Sequence, residues 1–436
     1  MRVVREARFR LMKDLVLPAA LKAREGRRRP GKGDPLFGPP LKCGAELKRI
    51  MARHYALAKY AKGARPVAYV TSGAPVELLR PLGFYTLYPE NHSALCGARK
   101  VGERIALHAE ARGFSPDLCS YARIDLGHAF SGESPAGDLP APDLLFCTTN
   151  ICQTVLYWFK ALAHHHRVPL VVLDTPYLHG GQDEGPALRY FRDQMVEVVP
   201  RLERIARRDF DESRFLAALE SSRRASLLWG KVLETLKARP APLTIFDAFV
   251  HLMPVVSLRG LPVCERYYEG LLAEAEERVR KGVAAVPGER FRLLWDNIAI
   301  WFALGSLARL FARAGAVPVA ATYTHAWAET VQDLDGKDPF GALSRAYGRI
   351  FLNRDLAHRR NLLLTLAREY AVDGVVFHSA RSCKPYSIGQ YDMRGLLEGE
   401  LPLRTVVLEA DMADGRVWSQ AQAETRLEAF FESLER

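Results

Sequence analysis

The sequence predicts an α/β protein built from two doubly wound parallel-sheet lobes, joined by a helical middle segment and preceded by a basic N-terminal arm. Three observations carry that expectation. Short apolar runs of buried-strand type alternate with stretches of helical composition, the pattern of parallel strands joined by crossover helices. The alternation occurs twice, on either side of a charge-rich helical block. At 436 residues the chain also exceeds what one hydrophobic core supports, since single cores stop growing at roughly 250–300 residues.

Taken in order, residues 1–60 read as basic helices split by the Gly/Pro-rich stretch GRRRPGKGDPLFGPP (26–40), an arm expected to wrap onto other parts of the structure. The first lobe, 61–190, holds the apolar runs VAYVT (67–71), GFYTLYP (83–89), DLLFCT (143–148) and VPLVVLDT (168–175). Residues 191–287 are the helical connection, with segments such as YYEGLLAEAEERVRKG. The second lobe, 288–436, resumes the strand pattern with FRLLWD (291–296), VPVAATYT (317–324), VDGVVFHS (372–379) and LRTVVLEAD (403–411). No GxGxxG or Walker A pattern occurs, which disfavours a bound dinucleotide or ATP on this chain. In open α/β sheets ligands sit outside the carboxyl ends of the strands, so functional residues are expected there.

Composition narrows the classes further. With 48% hydrophobic and 25% charged residues the chain reads as globular. No apolar run approaches the roughly 18–20 residues that a membrane helix needs, so no membrane association is expected. The N-terminal segment keeps interrupting its apolar residues with Arg and Lys and lacks a secretory apolar core, which points to the cytoplasm. A net charge of +11 favours polyanionic company, but no nucleic-acid-binding motif accompanies it, and nucleic acid is not expected as a partner.

Seven cysteines, too scattered for a disulfide framework, leave metal binding or plain burial. Three stand in polar or strand-end contexts: Cys119 in SPDLCSYARIDLG, Cys152 in FCTTNICQT and Cys383 in FHSARSCKPYS. Soft thiolates select iron–sulfur clusters or zinc, and the neighbouring Arg123, Arg381 and Lys384 would favour the deprotonated form. Zinc is the weaker rival, because structural zinc sites show paired ligands and there is no CxxC here. Burial as small hydrophobes is the alternative that spacing leaves open. Cys147 lies inside a strand and reads as core, Cys43 and Cys264 lie in Pro-containing surroundings without basic partners, and Cys96, after PENHSAL, is a substitute ligand candidate.

The run TTNICQTVLYWFKALAHHHRVPLVVLDTPY (148–177), with CSYARIDLG (119–127), RSCKPYSIGQYD (381–392) and LEADMADGRVWSQAQAETRLEAF (408–429), resembles the benzoyl-CoA reductase and 2-hydroxyacyl-CoA dehydratase family. The likeness also takes in APLTIFDAFVHLMP, GERFRLLWDNIAIW and ATYTHAWAE, and extends from about residue 65 to the C-terminus. The resemblance implies a 4Fe-4S cluster held by Cys119, Cys152 and Cys383 in the inter-lobe cleft, with one iron lacking a protein thiolate. It implies a homologous cluster-binding subunit as partner in a heterodimer, an acyl-CoA thioester as substrate and, with no ATP site visible here, a separate ATP-hydrolysing iron–sulfur activator. Within the family, chain length and SCKPYSIGQYD lean toward the reductase subunit that delivers low-potential electrons for ring dearomatisation of benzoyl-CoA. A dehydratase subunit forming an enoyl-CoA through a ketyl radical is the alternative, and a non-catalytic scaffold of the same fold a second.

Such chemistry needs proton delivery in a water-poor pocket. Ser72, Glu90 and His92 lie near strand ends of the first lobe and are the acid–base candidates, with structural hydrogen bonding as the competing role; Glu77 lies in the same stretch. His164, His165 and His166 read as a solvated helix end. For the CoA phosphates Arg259, Arg381 and Lys384 are the candidates in motifs. Trp295, Trp301, Tyr323 and Trp327 could wall an acyl pocket but are read as core.

Overall fold

In a computed structural model, residues 2–25, 33–329, 333–334 and 337–435 are described. Among the described residues eight strands form: β1 (Val67–Val70), β2 (Tyr85–Leu87), β3 (Leu144–Thr148), β4 (Leu170–Leu173), β5 (Phe291–Asp296), β6 (Ala316–Ala321), β7 (Gly374–Ala380) and β8 (Arg404–Ala410). They build two four-stranded sheets, β2-β1-β3-β4 and β6-β5-β7-β8, in which every pairing is parallel. The two orders are the same when strands are counted within each lobe, so the lobes repeat one topology. Each of the eight apolar runs expected from the sequence overlaps one of these strands.

A parallel sheet covered on both faces reads as continuous apolar sequence rather than alternation. Every residue of β1, β3 and β6 is accordingly buried. The covering helices show the matching stripes: helix Gln153–His166 buries Val155, Trp158, Phe159 and Leu162, spaced three and four apart along one face. Pro318 lies in β6, an edge strand, where a missing backbone N–H is tolerated, and the β5–β6 register shifts beside it.

One large apolar core runs through both lobes. A second lies on the outer face of the first sheet, where Leu334, Leu343, Ala346 and Tyr347 pack with Phe191, Met195, Leu202 and Phe215. The chain between β6 and β7 thus crosses back to complete the first lobe's core, which the linear division into segments did not anticipate. The N-terminal arm folds onto the same molecule: Phe9 is buried and meets Tyr85 edge-on, and helix Cys43–Ala61 buries Leu47, Met51 and Tyr55. Residues 26–32 of the Gly/Pro-rich stretch lie outside the described residues. Among the described residues no helix is long and apolar enough to cross a membrane.

Candidate functional site

In both sheets the strand order reverses between the first and third strands of the lobe, so a crevice opens beyond the carboxyl ends of β1 and β3 and of β5 and β7. Ser72 and Gly73 follow β1, Cys152 follows β3, and Cys383 follows β7. All three candidate cysteines occupy the residue that begins a helix: Cys119 before Ser120–Ser131, Cys152 before Gln153–His166, and Cys383 before the short turn Lys384–Ser387. Cys152 and Cys383 therefore hold equivalent places on equivalent strands.

Polar contacts bring these turns together. The Ser120 amide, next to Cys119, donates to the Ser382 hydroxyl, next to Cys383, at 3.1 Å across the lobes. Ser382 in turn donates to Asp411. In the first lobe the Asn150 side-chain amide donates to the carbonyls of Gly73 and Tyr347, both at 2.9 Å. Gly73 has no room for a side chain, since a Cβ there would lie 2.7 Å from the Asn150 Oδ1 and 2.9 Å from the Ile151 Cγ1.

The result is a cavity of about 180 Å³ whose lining includes Cys119, Cys152 and Cys383. The thiols open onto the cavity and are half-buried. Burial raises the Cys119 pKa well above its ordinary value, and the nearness of Cys383 and Cys152 raises it further. Burial likewise pushes Cys383 up to about 12, again with Cys152 adding to the effect. Cys152 is raised by burial too, and the Val155 amide opposes the shift. The Ala122 and Tyr386 amides do the same for Cys119 and Cys383. In each case the opposing amide lies three residues beyond the cysteine, although none closes a full capping hydrogen bond to sulfur. First-turn N–H groups are thus directed at all three sulfurs, and these favour negative charge there.

Ser72 and Glu90 line the same cavity. The Ser72 amide donates to both Glu90 carboxylate oxygens, at 2.9 and 3.2 Å. Burial drives the Glu90 carboxyl up to about 7, and the Ser72 contacts only partly offset this. His92 is placed differently from its expected role. It is buried away from the cavity, with Nε2 2.9 Å from the Ser134 hydroxyl and its ring 4.7 Å from that of His128. Burial lowers its pKa to about 3, so it is a neutral structural imidazole. Cys96 is buried beside His92 and does not line the cavity. Cys147 and Cys264 are buried core residues.

Two of the basic residues expected to serve the thiolates, Arg123 and Lys384, have other partners. Arg123 is paired with Glu110 at 2.6 Å and Asp414 at 2.9 Å. The Lys384 ammonium donates to the Arg381 carbonyl. The cation that acts on Cys383 is Arg359, buried against Asp296 at 2.6 Å, a contact joining residues far apart in sequence. Arg259 is not a surface phosphate ligand: it is buried, lines the cavity, and faces Glu77 with 3.4 Å between Nε and Oε1. Glu77 is itself tied down, accepting from Tyr347 at 2.8 Å and Ser222 at 2.5 Å. Of the four aromatic residues read as core, Trp295 is, whereas Tyr323 and Trp327 form cavity wall. The half-buried Trp301 hydrogen-bonds Tyr121, itself a wall residue. His164 and His165 are exposed at their helix end.

Among the described residues no group of three or more His, Cys, Asp or Glu side chains is gathered into a metal-ion site. Three thiols ringing a shared cavity without closing on one point are a donor set for a larger, thiophilic group, and iron–sulfur clusters are held by cysteine thiolates. The donor chemistry fits such a cluster.

Fold and site define a two-lobed α/β protein whose cysteine-lined cavity draws on both lobes. The family model of the 2-hydroxyglutaryl-CoA dehydratase D-component matches residues 71–434, and the chain belongs to that family. It is 32% identical to the alpha subunit of the lactoyl-CoA dehydratase of Anaerotignum propionicum, over 85% of this chain and 90% of that protein. It is also 32% identical to the (R)-2-hydroxyisocaproyl-CoA dehydratase alpha subunit of Clostridioides difficile, over 89% and 95%. One subunit of the benzoyl-CoA reductase of Thauera aromatica is 31% identical, over 86% and 89%.

Proposed function

We propose that this chain is the alpha-type subunit of a 2-hydroxyacyl-CoA dehydratase, holding a 4Fe-4S cluster on Cys119, Cys152 and Cys383 beside the acyl group. The observation that carries the reading is the meeting of these three thiols with Ser72 and Glu90 around one apolar cavity. The sequence leaned toward the benzoyl-CoA reductase; the similarity to dehydratase alpha subunits supports the dehydratase better. The reductase is the second reading, favoured by the likeness to one of its subunits.

Dehydration removes the hydroxyl at C2 and a hydrogen at C3 as water, with no net oxidation. A cluster bound at the three cysteines would supply single low-potential electrons. The chain's own residues then have definable tasks. Glu90, raised to about 7, can hold a proton at neutral pH and release it, and its carboxylate can accept one, so it serves the leaving hydroxyl or the departing hydrogen. The Ser72 amide fixes its orientation. Trp158, Tyr323 and Trp327 in the wall exclude water from the reacting carbons. A homologous subunit would complete the enzyme, and an ATP-hydrolysing iron–sulfur activator would deliver the electron. The test is an anaerobic assay of the complex with activator and ATP. Turnover of a 2-hydroxyacyl-CoA to the enoyl-CoA is expected, and dearomatisation of benzoyl-CoA instead would select the reductase.

A further inference from the structure

We propose that the cavity takes an acyl group whose side chain is neutral and apolar, aromatic or branched aliphatic, and rejects acyl groups that end in a carboxylate. The proposal deepens the dehydratase reading and rests on it for the identity of the site as the acyl pocket. Its basis is the wall and the state of the charges in it. Ile151, Val155, Tyr323, Trp327, Tyr347 and Phe351 supply a largely aromatic surface. Such a surface gains from burying apolar area and offers a terminal carboxylate nothing in place of its lost hydration.

Among the described residues the only cation in the lining is Arg259; both its terminal nitrogens donate to backbone carbonyls, and its Nε, which has no hydrogen-bond partner, is matched in charge by Glu77. Its Nε faces the fully buried Glu77 at 3.4 Å. Its Nη1 donates to the Val255 carbonyl at 3.3 Å, and its Nη2 to the Ala74 and Ser72 carbonyls at 3.1 and 3.4 Å. The rings of Tyr347 and Trp327 lie 5.2 and 5.4 Å from the guanidinium carbon. With its charge matched in this way, Arg259 presents aromatic wall rather than an anion site. The other ionisable side chain besides the thiols and tyrosines is Glu90, a carboxyl already bonded to the Ser72 amide, which offers a second carboxylate no counter-charge. The next cation, Arg359, lies behind the Phe351 and Tyr386 rings and is paired with Asp296. Its Nε and Nη1 have no hydrogen-bond partner among the described residues, so Arg359, together with the Nε of Arg259, is where the proposal could fail.

The experiment separates binding from reaction. The anaerobic complex, without activator or ATP, is titrated by calorimetry with phenyllactyl-CoA, 2-hydroxyisocaproyl-CoA and 2-hydroxyglutaryl-CoA. The first two are expected to bind about 100-fold more tightly than the third, the scale set by stranding a buried charge without a partner. Equal affinities, or tighter binding of 2-hydroxyglutaryl-CoA through Arg359, overturn the proposal. Failure of all three to bind overturns both the proposal and the site reading. If the order of affinities holds but activator and ATP then produce no enoyl-CoA, the pocket assignment stands and the dehydratase reading fails. Glu77→Gln adds a second arm: it leaves the Arg259 charge unmatched and is expected to narrow the affinity gap about 10-fold. Because that substitution is in the core, the unmodified complex remains the deciding measurement.

Discussion

After β1 of the first lobe the chain passes through Ser72 and Gly73 along the cavity wall, and Glu90 closes on the Ser72 amide from the next helix. After β5, the matching strand of the second lobe, the chain turns at Asn297 with φ of +94°, and its side chain is bonded to the His378 carbonyl at 2.7 Å. His378 in turn holds the Ile298 carbonyl at 2.7 Å, and burial lowers its pKa to about 4. One topology therefore brings a carboxyl to the cavity at the first lobe's switch point and only the apolar Ile298 at the second's, where Asp296 is paired with Arg359. The third strands behave alike, each delivering a cysteine to the cavity. Duplicated folds can thus differ in what each half contributes: thiols come from both lobes, and the cavity's one carboxyl among the described residues from the first.

The largest test of this division is Cys152→Ser against Cys383→Ser. If the third strands are equivalent, each substitution should strip most iron from the anaerobically purified complex and lower turnover at least about 100-fold. Cys147→Ser, in the core of β3, should retain iron. Iron content by chemical analysis is the readout, and a Cys383→Ser protein that keeps its full complement would break the symmetry.

Glu90→Gln probes the asymmetry. Removing a positioned acid–base group should reduce kcat about 100- to 10,000-fold while iron content stays unchanged. His92→Asn should alter turnover far less, since His92 faces Ser134 rather than the cavity. Equal losses from both variants would show that the proton path runs outside the cavity.

Much of this was legible in sequence, because strands of parallel sheets announce themselves locally as short apolar runs, and all eight did. The motifs picked out the three cysteines that line the cavity. What escaped depends on contacts between distant segments. The Arg359–Asp296 and Arg259–Glu77 pairs, the packing of Leu343 and Tyr347 onto the first sheet, and the turning of His92 toward Ser134 leave no periodic trace. Tyr323 and Trp327 were read as core because core and cavity wall share the same residue types.

The seam between the lobes offers an intermediate effect. Arg123 of the first lobe joins Glu110 and, across the seam, Asp414. Burial pushes Asp414 up, but hydrogen bonds from Arg416 and Arg123 outweigh it and hold the carboxyl at about 2, below its ordinary 3.8. Breaking this buried network with Asp414→Asn should cost about 3 kcal/mol in chemical denaturation. A depressed carboxyl stabilises the fold above its unfolded value and loses that contribution as pH falls through the folded one. The native protein should therefore weaken between about pH 4 and 2 relative to the variant, whose loss is already present at neutral pH.

The smallest effect concerns the second lobe's switch point. Asn297 is fully buried, with φ in the left-handed region, where side chains other than glycine are strained. The turn is held because the Asn297 side chain bonds both neighbours: Nδ2 donates to the His378 carbonyl, and Oδ1 accepts from the Ile298 amide at 2.7 Å. Asn297→Ala keeps the strain and loses both bonds, whereas Asn297→Gly loses the bonds but relaxes the backbone. The alanine variant should be less stable than the glycine variant by about 1 kcal/mol, read from denaturation midpoints at equal slope. Because Asn297 does not line the cavity, both variants should keep iron and turn over substrate within about threefold of the parent, a spread of under 1 kcal/mol. A loss as deep as that of Glu90→Gln would mean that the second lobe's switch point takes part in the chemistry, and the division of labour between the lobes would have to be abandoned.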